Sequence, residues 1–166
     1  MRPPSLIAHD PSRNANPSGV RFAIPFAVFM LLAHAQAVAQ VCPADLMRID
    51  GVGVAAPANR LVQAYGTPIA RNAMGGEHYE EEWVFDKAHA YLISGRVEHL
   101  ASSRQGSCTG RGICVAGTLD DAKQRFEGFV RSEDGNSLHC VDAESACSLV
   151  VEGTPRIRRL VLQCLP

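Results

Sequence analysis

Between Glu80 and Leu100, polar and apolar residues alternate with period two in three runs, parted by the polar pairs Asp86-Lys87 and Ser94-Gly95. Such alternation marks half-buried strands, and two-residue polar connections mark hairpins. The stretch therefore predicts a three-strand antiparallel meander. With Phe85 opposite Ala88 and Ile93 opposite Arg96, the residues Trp83, Phe85, Ala90, Leu92 and Val97 share the core face. The other face carries Glu80, Glu82, His89, Tyr91, Arg96 and Glu98, with Val84, Ile93 and Leu100 among them. A one-residue bulge at Gly95 would exchange the faces of the third strand.

The pattern changes to a helical one on either side of the meander. Pro57 suits a first turn, Ala58, Leu61, Val62 and Tyr65 fall on one face, and Gly66 with Pro68 stops the chain, which predicts a helix over 57–65. Residues 43–54 read as a short strand or extended lead-in, and Thr67 to His78 as a loop. Further on, Thr118 is a good N-cap for a second helix, with Asp120 and Asp121 in its first turn and Leu119, Ala122, Phe126 and Phe129 as its apolar stripe. Three strand-like segments follow, around 137–141, 146–152 and 156–164. Each predicted helix is thus followed by three strands, and Arg-Ile-Arg-Arg-Leu (156–160) echoes Arg-Val-Glu-His-Leu (96–100), a weak internal duplication.

The start of the chain has a different character. Residues 1–20 hold Pro3, Pro4, Pro11 and Pro17 and cannot build a core. Arg21 then precedes an apolar run over 22–33, followed by Ala-x-Ala sites ending at Ala35, Ala37 and Ala39, the pattern of a secretory signal peptide cleaved near Ala37–Ala39. The apolar run is too short to span a bilayer, which takes about 20 residues. Val41 is bulky where a lipoprotein signal has a small residue before its cysteine. The length of the segment before Arg21 raises the hypothesis that translation starts at Val20. Cleavage leaves about 127 residues with 13 basic and 16 acidic side chains, a net charge near −3. That balance argues against nucleic acid or an anionic membrane as the partner.

All six cysteines, Cys42, Cys108, Cys114, Cys140, Cys147 and Cys164, lie beyond the leader, and an even count in an exported chain reads as disulfides. The glycine-containing loop from Cys108 to Cys114 can close on itself, Cys140 and Cys147 flank a short hairpin, and Cys42 with Cys164 would tie the two ends together. A metal site lacks any Cys-x-x-Cys pair and needs reduced thiols. No cofactor is implied.

The chain contains no Gly-x-Ser-x-Gly elbow, no His-Glu-x-x-His and no phosphate-binding glycine loop. The acidic run Glu80-Glu81-Glu82 beside His78 reads as a solvated strand edge. His89 and His99 fall on opposite faces in the register above, and His139 and Cys140, as neighbours on a strand, point apart. No catalytic or metal-binding set is therefore assigned. The binding residues expected are Glu82, His89, Tyr91 and Glu98 on the exposed side of the meander, with Arg111 of the Gly110-Arg111-Gly112 loop. Tyr supplies contact area at low entropy cost, and the carboxylates would select a basic partner.

The runs Val62-Gln-Ala-Tyr-Gly-Thr-Pro68, Trp83-Val-Phe85 and Tyr91-Leu-Ile-Ser-Gly-Arg-Val-Glu-His-Leu100 resemble the small exported domains of the BamE/SmpA outer-membrane-assembly lipoprotein type. Two such units in tandem look like the architecture of β-lactamase inhibitory protein. The resemblance implies an α+β fold of two tandem helix-plus-three-strand antiparallel units stapled by disulfides, with a leader over 1–39, a first unit over 40–103 and a second over 104–166. It also implies protein binding, as an inhibitor or an envelope-assembly accessory, without catalytic residues. The expectation is a periplasmic or secreted, non-enzymatic protein-binding module with no membrane span after cleavage. The alternative is a small exported enzyme or metal-binding protein.

Overall fold

The computed structural model describes residues 41–75, 78–142 and 144–164. The expected leader and its cleavage site lie outside them. The described chain begins with a small hairpin, β1 (Arg48–Ile49) and β2 (Val52–Gly53), then runs through α1 (Asn59–Tyr65), β3 (Ala70–Ala73), β4 (Glu81–Phe85), β5 (Ala88–Ile93) and β6 (Arg96–Ser102). After a long connector come α2 (Leu119–Arg125), β7 (Val130–Arg131), β8 (Ser137–Asp142), β9 (Cys147–Gly153) and β10 (Ile157–Cys164). Thr118 caps α2 by accepting a hydrogen bond from the Asp121 amide at 3.1 Å. α1 starts two residues later than the pattern predicts, because Pro57 is held in a bridge to Arg96, and it ends at Gly66 with φ 83°.

The expectation of two helix-plus-three-strand units does not hold, and neither does the BamE/SmpA-like or inhibitor-like fold it came from. All strands from β3 onwards join one eight-stranded antiparallel sheet in the order β3-β4-β5-β6-β10-β9-β8-β7. Two strands absent from the expectation complete it: β3, inside the predicted loop, pairs with β4, and the two-residue β7 pairs with β8. β6 and β10 pair at the centre, Leu100 opposite Leu162 and Ser102 opposite Leu160, so that the two halves of the chain share a single core. The physical reason is edge satisfaction. A three-strand meander has bare backbone on both sides, and pairing β6 with β10 removes two exposed edges at once.

Both helices, the β1–β2 hairpin and the connector pack on one face of this sheet. Leu46, Ile49, Val52, Leu61, Ile113, Leu119, Ala122 and Phe129 meet Trp83, Phe85, Leu92, Leu100, Leu138, Leu149, Val151, Leu160 and Leu162 in one buried cluster. The connector is fastened by a polar chain, in which Ser107 donates to Asp50 at 2.6 Å and shares a 2.8 Å hydrogen bond with the buried Ser102, while the Cys108 amide donates to Asp50 at 2.9 Å. Here the helices are short caps on a sheet, whereas the expected units would have been packed around them.

Three disulfides are formed: Cys108–Cys114, Cys42–Cys140 and Cys147–Cys164. The first is the loop closure expected from sequence. The expected Cys140–Cys147 and Cys42–Cys164 bridges are replaced by the other two, for a reason of register. Cys140 stands opposite Leu149, and Cys147 opposite Asp142, which leaves the two cysteines diagonal on the ladder and too far apart to bond. Cys147 instead faces Cys164 directly on β10, with Cα atoms 3.9 Å apart. The Cys42 amide donates to Val141 at 3.0 Å and so lies against β8 beside Cys140.

Candidate functional site

Among the described residues, the second face of the sheet carries no helix, and Tyr79, just before β4, lies over it. Most side chains pointing there are half-buried or exposed, the exceptions being the small Ala101 and Val161 at the sheet centre. Its middle is aromatic. Tyr79 stacks on Tyr91 with ring centroids 5.0 Å apart and planes at 26°, Tyr91 meets His99 edge-on at 5.2 Å, and His99 stacks on His89 at 5.7 Å and 15°.

His99 reaches this face through a bulge. Phe85 pairs with Ala88 and Ile93 with Arg96, as expected, but the ladder shifts between Leu92, opposite Val97, and Tyr91, opposite His99. Glu98 is the extra residue. The bulge lies three residues beyond Gly95, so Val97 keeps its predicted core position while Leu100 moves into the core and His99 onto the open face. The expectation that His89 and His99 stand on opposite faces is therefore corrected: they are stacked neighbours. Glu98 leaves the meander surface and lines a separate cleft of about 740 Å³ with Arg48, Cys42 and Cys164. Arg111 is also elsewhere, paired with Asp45 at 2.9 Å and lying 5.4 Å from the Phe126 ring. Of the five residues singled out from sequence, the structure gathers Glu82, His89 and Tyr91 and separates Glu98 and Arg111.

A second bulge, in β10, repeats the first. The ladder to β9 shifts between Ile157 and Arg159. Arg158 and Arg159 both line a cleft of about 730 Å³ on this side, with Ser103, Asn136, Ser137 and Glu152. A neighbouring cleft of about 390 Å³ shares Arg159 and Ser103 and adds Glu82, Lys87 and His89. Arg159 holds the centre: its Nη2 is 3.3 Å from His89 Nε2, and its Nη1 is 3.9 Å from Glu152. Burial, reinforced by His89 and Arg159, pushes the His99 imidazole down to about 4. His89 is also lowered, by burial first and Arg159 second, against the opposing pull of Glu82. Both rings are thus neutral at pH 7, and His99 Nε2 is buried without a hydrogen-bond partner among the described residues. Tyr91 is raised by burial and by Glu82.

Reading the sequence missed His99, Tyr79, Arg158, Arg159 and Glu152. A signal existed for three of these. Val97-Glu-His-Leu100 and Ile157-Arg-Arg-Leu160 both place two polar residues between apolar ones, a break in period two that marks an extra residue in a strand.

No protein-family model matches the chain, and no curated protein matches it. Among solved structures it is similar to an extracellular protein containing a SCP domain from Bacillus anthracis str. Ames, at 8% identity with a TM-score of 0.47. The likeness covers 67% of this chain and 44% of that one, too little to assign a family. Among the described residues, no helix is long and apolar enough to cross a membrane.

Proposed function

We propose that this is an exported, non-enzymatic protein that binds a partner protein on the open face of its sheet. Three disulfides support export, since such bonds persist in oxidising compartments. The observation that carries the binding reading is the face that the described residues leave uncovered, with the Tyr79, Tyr91, His99 and His89 rings stacked at its centre. Rings held on a rigid ladder lose little entropy when a partner covers them. Tyr and neutral His present an apolar body with a polar tip, and Tyr is enriched at the cores of protein interfaces.

The test is affinity capture from culture medium and envelope extracts with the oxidised protein as bait, run beside Tyr91→Ala and His99→Ala. Removing an aromatic anchor from an interface centre costs about 2 kcal/mol or more, so capture should fall at least tenfold for each variant while the melting temperature stays near that of the parent. A captured protein held equally by the parent and both variants would place the interface elsewhere.

A further inference from the structure

The charges at the edge of the aromatic patch specify a partner more closely. Three cations ring the two adjoining clefts: Lys87 in the β4–β5 turn, and Arg158 and Arg159 brought there together by the β10 bulge. Among the described residues neither Arg158 nor Lys87 makes a side-chain hydrogen bond or ion pair, and Arg159 has only His89 and the 3.9 Å approach of Glu152. Two of the three acids nearby are better engaged, Glu152 being the exception. Asp134 accepts from the Ser132 hydroxyl and from both the amide and the side chain of Asn136, and Glu82 accepts from Asn72 at 3.0 Å. Formal charges in the clefts balance, and the unspent hydrogen-bonding capacity lies with the three cations and with Glu152.

We infer that the two clefts around Arg159 receive an acidic segment of the partner protein, with carboxylates of closely spaced Asp or Glu side chains seated between Lys87, Arg158 and Arg159. This rests on the open-face reading and deepens it, and it reverses the basic partner expected from Glu82 and Glu98. Guanidinium groups bind carboxylates through paired hydrogen bonds, and two of them on successive residues favour two carboxylates presented close together. The Ser137 hydroxyl supplies a neutral partner for the same segment's backbone, while the side chains of Ser103, Asn136 and Thr154 are already hydrogen-bonded within the protein. The neighbouring Tyr91 and His99 rings take its apolar side chains. Glu152 is the built-in competitor, close enough to Arg159 to be displaced by an incoming carboxylate.

The experiment is an NMR titration of the full, oxidised protein at low ionic strength with a peptide of alternating glutamate and glycine, and separately with its lysine counterpart, inorganic phosphate and vesicles of anionic lipid. The glutamate peptide should shift amides of Lys87, His89, Ser103, Asn136, Arg158 and Arg159, and the lysine peptide should not. The Arg158→Gln and Arg159→Gln double variant should weaken the peptide by about fivefold or more, the sum of two exposed ion pairs. Glu152→Gln should strengthen it about twofold, a gain that misfolding could not mimic. No localised shift, equal binding by the double variant, or phosphate or vesicles binding the same residues more tightly than the peptide would each overturn the proposal. With the partner in hand the two readings separate. Loss of capture in Tyr91→Ala but not in the arginine double variant keeps the docking face and removes its acidic ligand, while indifference to both removes the face.

Discussion

Trp83 and His99 show how one residue's surroundings set its role. Trp83 is buried, its indole N–H donates to Glu81 at 2.6 Å, and the Arg71 guanidinium lies 3.8 Å above its ring. Trp83→Ala should cost about 3–5 kcal/mol in denaturant unfolding, and a loss under 1 kcal/mol would show that the edge of the core is looser than it looks. His99 acts through its protons. Its neighbours on the open face are His89 and Tyr91 of β5 and Arg159 of β10, and its folded pKa is about 4 against the usual imidazole value of about 6.5. A histidine lowered on folding binds fewer protons in the folded than in the unfolded state between those values. Its contribution is complete above pH about 6.5 and is lost as the pH falls toward 4. Stability should therefore decline through that window, with His89 adding to the slope, and His99→Phe should flatten it. An unchanged slope in that variant would show that His99 does not carry the effect.

At the scale of elements, local chemistry governs the turns and two bulges govern the faces. The β9–β10 connection needs Gly153: its φ is 144°, and a Cβ there would stand 2.0 Å from the Arg156 carbonyl oxygen. Gly153→Ala should cost about 1–3 kcal/mol of strain, read as a lowered unfolding midpoint, and should loosen the turn that presents Arg158 and Arg159. A variant as stable as the parent would mean that the turn relaxes into another conformation. Much at this scale was legible beforehand. Pro57 and Gly66 bracket α1, Thr118 caps α2, and the hairpin pairs Phe85 with Ala88 and Ile93 with Arg96. β3 was not legible, because Ala-Arg-Asn-Ala is an edge strand without β-branched residues, held by its pairing to β4. The Glu98 bulge went unread, a bulge being considered only at Gly95, although the polar pair Glu98-His99 between Val97 and Leu100 marks it.

Across the whole molecule, long-range pairing decides what no local pattern carries. The β6–β10 ladder joins residues about sixty apart and turns two expected units into one sheet, and the same pairing order sets the disulfides. Cys42–Cys140 spans 98 residues and so restrains the unfolded chain far more than Cys108–Cys114, which spans 6. Removing it as Cys42→Ala with Cys140→Ala should cost about 2–5 kcal/mol of unfolding free energy, whereas the equivalent change at Cys108 and Cys114 should cost less. The long bridge belongs to the helix-covered side: both its cysteines are buried in the core cluster, and neither lines the clefts around Arg159. Under conditions where the variant is still folded, its capture of a partner and its affinity for the glutamate peptide should match the parent. Capture lost by a folded Cys42→Ala, Cys140→Ala protein would move the interface to the cleft that Cys42 shares with Glu98. Matching capture with reduced stability would separate what holds the sheet together from what it displays.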